Sequence, residues 1–224
     1  MTSIALETFG SGGAEPYERA LRFDDQVLYL RDAGSPHTEP SISMDVSRWN
    51  DDADLIDLSL LRNTSGPVLD IGCGPGRMVK AAMDLGVTTL GIDVARTAIE
   101  LATAAGLNVL RRSVFERLPC EGEWELILLL DGNIGIGGDP HALLQRCAEL
   151  LSPSGSLVIE VHPDRSRDRA YQGTVIDIRG HQSANFPWAE LGRDGVETQA
   201  LHAGLELAHA WEANSRSFCR LVTA

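Results

Sequence analysis

The stretch Pro67-Val68-Leu69-Asp70-Ile71-Gly72-Cys73-Gly74-Pro75-Gly76-Arg77 decides the fold that this sequence predicts. Residues 68–71 form the short, mostly apolar run of a strand that is buried on both faces of a parallel sheet. The three glycines that follow break the strand, tolerate positive φ and let a ligand lie directly against the backbone. Apolar residues then recur at helical spacing over 78–85, so a helix begins near Gly76. Its free N–H groups point at the loop and favour an anionic ligand group there.

The spacing of these glycines separates two classes of ligand. A dinucleotide fingerprint, G-x-G-x-x-G, needs glycine at position 77, where this chain has Arg77. Instead, Asp70 stands two residues before Gly72, at the expected carboxyl end of the strand. A carboxylate in that place repels a pyrophosphate and attracts an ammonium or sulfonium group. The pattern therefore predicts a nucleotide-type ligand that carries a positive charge.

A second acid follows at the spacing of a βαβ nucleotide site. Residues 87–92 form another strand-like run, and Asp93 follows at a distance from which such an acid reaches a ribose. Together with Asp70-x-Gly72-x-Gly74-x-Gly76, this arrangement resembles motif I and the following acid of class I S-adenosylmethionine-dependent methyltransferases. The resemblance is nearest to their small-molecule group of type 11. It covers about residues 50–162 strongly and a C-terminal hairpin weakly.

This resemblance implies a fold and a cofactor. The fold is α/β and Rossmann-like, with a central, mostly parallel seven-stranded sheet, a C-terminal antiparallel hairpin and helices on both faces. The cofactor is S-adenosyl-L-methionine, which becomes S-adenosyl-L-homocysteine, and Asp93 is expected to bind its ribose hydroxyls. Where relatives carry an Asp-Ala pair beside the adenine, this chain has Ser113-Val114, and a hydroxyl bonds more weakly than a carboxylate. The residues expected to bind the cofactor are Asp70, Gly72, Cys73, Gly74, Gly76, Asp93, Val94, Ser113, Val114 and Asp131.

The candidate catalytic residues follow the later strands. Residues 126–130 are the most apolar run and predict a central strand, so the glycine-rich loop over 131–140 should face the reacting methyl group. Methyl transfer from a sulfonium is an in-line displacement with a good leaving group, so the protein mainly positions the reactants. For a hydroxyl acceptor, the candidate bases are Asp131 and His162, with His141 as a further candidate. Each also has a structural interpretation, as a loop brace, a turn residue and an exposed helix-start residue respectively.

The composition indicates a globular protein and argues against nucleic acid as a partner. The chain has 224 residues, 43% of them hydrophobic, which suffices for one well-cored domain with decorations. Its net charge of −13 and pI near 4.8 disfavour nucleic acid as a partner. The sequence has no leader pattern, no run that could span a bilayer and no C-x-x-C pair among its cysteines. We therefore expect a cytoplasmic monomer or homodimer with reduced thiols and no membrane partner.

The motifs divide the chain into a core and two segments that carry no motif. Residues 1–48 predict an N-terminal helical appendage, with a helix over about 16–30 that caps the ligand cleft or covers the sheet edge. Residues 49–224 predict the cofactor-binding domain, and an irregular, aromatic-bearing insertion near 165–193 suits substrate recognition. Four acids near the start of the first core helix are interpreted as its solvated face and dipole partners instead of metal ligands: Asp51, Asp52, Asp54 and Asp57.

The leading hypothesis for the function is methyl transfer to an oxygen or nitrogen atom of a small-molecule acceptor. An aminopropyl-type transferase with a related cofactor is an alternative, although only Asp139 adds an acid near Asp131. A regulatory protein that binds the cofactor without turnover is another. A magnesium-dependent reaction would use Asp131, Asn133 and Asp139 as oxygen ligands. The histidines show no metal-ligand spacing, and no metal site is expected.

Overall fold

The computed structural model describes residues 9, 15–23, 27–34, 42–44 and 46–224. No helix in these ranges is long and apolar enough to cross a bilayer. Their elements are, in chain order, α1 (Glu15–Arg22), β1 (Leu28–Asp32), β2 (Ile42–Met44), α2 (Val46–Asn50), α3 (Leu55–Leu60), β3 (Val68–Ile71), α4 (Arg77–Asp84), β4 (Thr89–Asp93), α5 (Arg96–Ala104), β5 (Val109–Arg111), β6 (Trp124–Leu129), a 3₁₀ segment (Asn133–Gly138), α6 (Pro140–Leu150), β7 (Leu151–Val161), β8 (Asp168–Asp177), β9 (Phe186–Leu191), α7 (Arg193–His202), β10 (Leu205–Ala213) and β11 (Arg216–Thr223).

The larger sheet has seven strands in the order β10-β11-β7-β6-β3-β4-β5. The strands from β7 to β5 are parallel, whereas β11 pairs antiparallel with β7 and with β10. The fold class predicted from the sequence is therefore confirmed. Because the chain continues from β3 to β4 on one side and places β6 on the other, the strand order reverses beside β3. Loops that leave the sheet in opposite directions at such a point open a ligand crevice at the carboxyl ends of the strands.

Strand β6 shows why the central run is apolar at every position. Leu126 and Leu128 pack in one cluster with residues of α3 and α4, whereas Ile127 and Leu129 pack in another with residues of α6 and α7. All four side chains are almost completely buried. Burial of each contributes about 1.5–3 kcal/mol to stability. Helices on both faces therefore hold the strand ends, and with them the crevice, in a rigid frame.

A second sheet of four antiparallel strands, in the order β2-β1-β8-β9, differs from what the sequence predicted. The helix predicted over 16–30 ends at Arg22, and β1 then alternates buried Leu28 and Leu30 with more exposed neighbours, as a strand does. The segment near 165–193 is not irregular, because β8 pairs with both β9 and β1. The pairing joins residues far apart in the chain, such as Leu30 and Val175, and local pattern does not reveal it.

One local prediction is also wrong. The first core helix, α3, begins at Leu55, and Asp54 caps it by accepting hydrogen bonds from Ile56 N and Asp57 N. Asp57 is fully buried, so its interpretation as part of a solvated face fails. Residues 152–155 belong to β7, which begins at Leu151 where this residue pairs with Trp124. Much of the predicted 1–48 appendage lies outside the described residues, and the division of the chain at residue 48 stays a prediction.

Candidate active site

A cavity opens at the carboxyl ends of β3 and β4, where the order of the larger sheet reverses. It encloses about 1010 Å³ between atoms, part of it open to solvent, which is room for a nucleotide-sized ligand. Nine of the ten residues that the sequence assigned to the cofactor line this first cavity: Asp70, Gly72, Cys73, Gly74, Asp93, Val94, Ser113, Val114 and Asp131. The fold thus brings together residues from four separate segments of the chain.

The glycine loop forms the floor of the first cavity with its backbone. Gly72 has φ of +72°, and a Cβ there would lie 2.5 Å from the side-chain amide nitrogen of Asn133. That amide donates hydrogen bonds to the carbonyls of Ile71, at 2.9 Å, and Gly72, at 3.1 Å. Gly74 has φ of +55°, and a Cβ there would meet only the hydroxyl of Tyr17, at 3.8 Å. Asn133 therefore fixes the backbone of the loop at Ile71 and Gly72. The space beside Gly74 stays open, as close approach of a ligand requires.

Gly76 is the one assigned residue that is not among the described residues lining the cavity. A Cβ on Gly76 would lie 2.5 Å from Cδ1 of Leu107, so this glycine allows α4 to pack against the neighbouring segment. Cys73 does line the cavity, and its thiol is buried. Burial raises the pKa of Cys73 well above its usual value, which keeps the thiol neutral. In the structure, Gly76 and Cys73 are therefore both closely packed.

Asp70 is a buried carboxylate that borders the first cavity. Its exposed fraction is only 4%, and it forms no side-chain hydrogen bond or ion pair within the described part of the chain. Burial raises the pKa of Asp70 to about 7, although the guanidinium of Arg77 opposes the shift. An unpaired carboxylate in such a place is costly unless a cation or a hydrogen-bond donor meets it. The first cavity is the side from which a ligand reaches this group.

Asp93, at the end of β4, is held by backbone hydrogen bonds. Its Oδ2 accepts from Gly74 N at 2.9 Å, and its Oδ1 accepts from Ala95 N at 2.7 Å. Burial raises the pKa of Asp93, and these N–H groups act in the opposite direction. Each carboxylate oxygen has a second lone pair, so the group keeps acceptor capacity toward the cavity. The bonds tie this carboxylate to the glycine loop in one geometry.

Ser113 and Val114 form the wall of the first cavity beyond β5. The Oγ of Ser113 accepts a hydrogen bond from Phe115 N at 3.3 Å, whereas Val114 is almost wholly buried. The pair thus offers an apolar surface beside one hydroxyl, and its place beside the adenine stays a prediction. Arg112 also lines the cavity here, which the sequence did not indicate.

Asp131 follows β6 with φ of +53° and lies between two arginines. Its Oδ1 is 2.9 Å from Nη1 of Arg48, and its Oδ2 is 2.7 Å from Nη2 of Arg77. Burial raises the pKa of Asp131, and Arg77 is the strongest of the charges that oppose the shift. Arg77 is itself buried, and position 77 had been noted only for lacking glycine. Two charged donors therefore orient one carboxylate at the edge of the cavity.

These two arginines belong to a larger buried network. Asp57 binds Arg48 at 3.0 Å, Arg77 at 3.1 Å and Arg216 at 2.9 Å. Arg216 also binds Glu160 at 2.7 Å, and Glu160 accepts the backbone N–H of Asp131 at 3.0 Å. Although burial acts in the opposite direction, Arg216 lowers the pKa of Glu160. The network joins α2, α3, α4, β7 and β11 beneath the cavity.

A second cavity adjoins the first. It encloses about 950 Å³ and lies between the ends of β6 and β7 and the second sheet. Both cavities are lined by Met44, Trp49, Asp131 and Trp188, so these four residues mark their junction. Trp49 and Trp188 come from segments to which the sequence assigned no motif. The junction places a carboxylate beside two aromatic side chains.

The candidate histidines lie away from the first cavity. His162 lines the second cavity, and its Nδ1 accepts a hydrogen bond from Asp164 N at 3.1 Å. His141, at the start of α6, lines neither of the two, and its ring lies 6.4 Å from that of His202. Among the described residues, no cluster of His, Cys, Asp or Glu suits a metal ion. Of the residues named for a magnesium site, Asn133 binds the glycine loop and Asp139 caps α6, so both have other roles.

The N-terminal segment supplies an aromatic wall. Tyr17 of α1 is 4% exposed and lines the first cavity, and its hydroxyl forms no hydrogen bond within the described part of the chain. Its ring contacts those of Phe9, at 4.8 Å between centroids, and Trp49, at 5.7 Å. A hydroxyl at a cavity wall that has no protein partner is available to a ligand. The sequence had indicated only that Tyr17 belongs to an apolar face over the cleft.

A comparison with protein families matches residues 49–221 to a methyltransferase domain. This chain belongs to that methyltransferase family. Two curated relatives of this chain are ubiquinone biosynthesis O-methyltransferases. The one from Bordetella avium is 27% identical over 95 residues, and the one from Bartonella bacilliformis is 33% identical over 97. The matched regions cover 39% and 41% of this chain and 39% of each relative's length. The similarity thus extends over well under half of those proteins.

Solved structures show the same fold. A SAM-dependent methyltransferase from Bacteroides fragilis, in complex with S-adenosyl-L-homocysteine, matches with a TM-score of 0.76 at 16% identity and covers 99% of this chain and 100% of its own. A 1,6-didemethyltoxoflavin-N1-methyltransferase from Burkholderia thailandensis matches with a TM-score of 0.59 at 17% identity, over 79% of this chain and 81% of its own. The match to the first of these extends over both sheets of this chain.

Proposed function

We propose that this protein binds S-adenosyl-L-methionine in the first cavity and transfers the methyl group to an oxygen or nitrogen atom of a small molecule in the second. The observation that carries the proposal is that the two cavities meet at Asp131, Trp49 and Trp188. A displacement needs donor and acceptor in contact, and adjoining cavities bring two ligands to a shared boundary. Family membership supports the same reaction.

The residues of the first cavity fit the cofactor. S-adenosyl-L-methionine supplies a methyl group on a positively charged sulfur and also carries an ammonium group, a ribose and an adenine. The unpaired carboxylate of Asp70 suits the positive charge, and Asp93 has acceptor capacity for ribose hydroxyls. The open backbone at Gly74 accommodates close contact, and Ser113 offers a hydroxyl for the adenine.

At the junction, Asp131 is the group that acts on the acceptor. Burial raises its pKa, which strengthens it as a base for a hydroxyl or amine proton, and Arg48 and Arg77 hold its two oxygens in place. His162 has a different role. Because its Nδ1 accepts a backbone hydrogen bond from Asp164 N, only Nε2 of the ring is left to contact an acceptor in the second cavity.

The relatives and the geometry favour this reaction over its rivals. The named relatives are O-methyltransferases and an N-methyltransferase, which agrees with an oxygen or nitrogen acceptor. An aminopropyl transfer gains no support from Asp139, because this side chain caps α6. A regulatory protein that only binds the cofactor needs no second cavity.

The four free cysteines, three of them buried, suit a reducing compartment, so we place the reaction in the cytoplasm. The net charge of −13 argues against nucleic acid as acceptor.

The first test is calorimetric titration with S-adenosyl-L-methionine, S-adenosyl-L-homocysteine and NAD. We expect micromolar binding of the first two and none of NAD. Asp93→Asn should weaken both about 10- to 100-fold, since it removes charge-assisted hydrogen bonds. Asp51→Asn, at an exposed position of the same charge, is the matched control and should bind like the wild type.

The outcomes separate the hypotheses. Binding of NAD alone would overturn the methyltransferase assignment. If the cofactor binds, methyl transfer from labelled S-adenosyl-L-methionine to a panel of phenols and amines is measured next. Binding without transfer to any member of a broad panel would favour the regulatory alternative.

A further inference from the structure

The second cavity contains a carboxylate that the proposed reaction does not use. Glu190 of β9 lines this cavity and is 8% exposed. Its Oε1 accepts a hydrogen bond from the hydroxyl of Tyr171 at 2.6 Å, and its Oε2 accepts one from Nε of Arg167 at 2.6 Å. Both partners come from β8 or the turn before it, so the hairpin β8–β9 holds the carboxylate in one orientation. A carboxylate has about four acceptor sites, and two of those on Glu190 remain for a ligand.

The pairing register shows which face of the second sheet carries this group. Tyr171 pairs with Trp188, and Arg169 pairs with Glu190, so these side chains share one face of the hairpin. Trp188 of this face reaches the junction of the two cavities. Arg169 lies 4.3 Å over the ring of Tyr171, which braces the tyrosine that orients Glu190. This face of the hairpin therefore carries the aromatic ring of Trp188 at the junction and the buried carboxylate of Glu190 next to it.

The remaining walls of the second cavity are largely apolar. They include Leu30, Met44, Trp49, Ile134 and Leu191. A ligand that fills this space needs an apolar body, and buried polar groups at the wall set its orientation. Carboxylates interrupt this apolar wall. Asp131 lies at the junction of the two cavities, and Glu190 lies on β9.

The carboxylates around the cavity offer hydrogen-bond acceptors to a ligand. Among the described residues, three carboxylates line it, those of Asp131, Glu160 and Glu190, together with one arginine, Arg48. Each carboxylate is paired with an arginine, so its charge is compensated, but its oxygens keep lone pairs that accept hydrogen bonds. A hydroxyl or an ammonium group of the acceptor can donate to them, whereas a carboxylate or phosphate would meet further acceptors.

We propose that Glu190 is a specificity-determining residue that accepts a hydrogen bond from a hydroxyl or ammonium group of the acceptor, remote from the methylated atom. The acceptor class is then an apolar, aromatic-sized small molecule with a hydrogen-bond-donating polar end and no anionic group. Tyr171 and Arg167 act as positioning residues for Glu190. The inference rests on the proposed function, because it takes the second cavity as the acceptor site.

The test compares four probes that share a phenol ring: tyramine, tyrosol, 4-ethylphenol and 3-(4-hydroxyphenyl)propionate. Their binding to the protein saturated with S-adenosyl-L-homocysteine is measured by calorimetry. We expect tyramine and tyrosol to bind at least tenfold more tightly than the propionate and more tightly than 4-ethylphenol. In Glu190→Gln the preference for tyramine should fall about tenfold or more.

Asp32→Asn is the matched control. Asp32 pairs with Arg169 in the same cross-strand network but does not line the cavity, so this variant should keep the preference among the probes. A merely structural role of Glu190 would lower the binding of all four probes alike in Glu190→Gln, and that result would overturn the inference. So would equal binding of the four probes to the wild type, or no binding of tyramine and tyrosol. Failure of S-adenosyl-L-homocysteine itself to bind would instead refute the proposed function.

Discussion

At the scale of single residues, the site depends on carboxylates whose surroundings differ. Asp70 is buried without a partner, Asp93 is bound by two backbone N–H groups, and Asp131 lies between two arginines. The three side chains are chemically identical, so only the environment distinguishes their tasks. Burial raises the pKa of Asp70 to about 7, so its protonation state changes near neutral pH.

This raised pKa predicts that cofactor binding releases protons. A cationic ligand stabilises the ionised carboxylate, so it lowers the pKa of Asp70 below 7. Between the lowered pKa and 7, the free protein holds more protons than the complex, so binding tightens as pH rises and levels off above 7. Calorimetry of S-adenosyl-L-methionine binding at pH 6.5 in buffers of different ionisation enthalpy should show release of up to about three quarters of a proton, because that is the fraction of Asp70 protonated at this pH when its pKa is about 7.

Two comparisons check this prediction. Asp70→Asn should abolish the proton release, whereas Asp84→Asn, at an exposed position, should leave it unchanged. S-adenosyl-L-homocysteine lacks the sulfonium charge, so its release should be smaller. Equal release for Asp70→Asn and the wild type would contradict the assignment of the titrating group.

At the scale of elements, an ionic network connects the N-terminal segment to the core. Arg48 of α2, Arg77 of α4 and Arg216 of β11 all contact Asp57 of α3. Charges taken out of water are stable only when each keeps its partners. The network therefore fixes α2, with Trp49 beside it, against the strand ends that carry Asp131.

Removing the central carboxylate should destabilise this arrangement. Asp57→Asn leaves three arginines with one fewer negative charge, so we expect a loss of about 3–5 kcal/mol in the free energy of unfolding. Asp52→Asn removes an exposed pair with Lys80 and should cost at most about 1 kcal/mol. Urea denaturation midpoints measure both. Equal losses in the two variants would show that the buried network adds no stability.

At the scale of the whole molecule, the two sheets share one ligand-binding region. The first cavity takes Asp70 and Asp93 from the larger sheet, Met44 and Trp188 from the second, and Tyr17 from α1. A ligand bound there contacts elements that are far apart in the chain. Local openings of either sheet that break these contacts are then suppressed by binding.

Hydrogen exchange offers a direct check of this coupling. With S-adenosyl-L-homocysteine at 100 times its Kd, binding raises the free energy of any local opening that expels the ligand by about 2.7 kcal/mol. Exchange should therefore slow about 100-fold in the glycine loop and also in β1, β8 and β9. NAD, as a ligand that is not expected to bind, is the control. Protection confined to the larger sheet would contradict a shared site.

The sequence by itself determined the larger sheet and the outline of the first cavity. Continuous apolar runs, alternating with helical periodicity and broken by glycine, specify strands and helices locally, and the acids at the ends of β3 and β4 identify the ligand class. Nine of the ten residues predicted to bind the cofactor line one cavity because strand ends of a parallel sheet meet at one edge.

Only the tertiary structure decided the second sheet, the buried network and the second cavity. The pairing of β1 with β8, and the contacts of Arg48 and Arg216 with Asp57, join residues that are distant in sequence. Glu190 and Trp188 lie in a segment without a motif, and nothing local predicts which cavity they reach. Short-range pattern reflects backbone preference and burial, whereas long-range pairing depends on which surfaces the finished fold brings into contact.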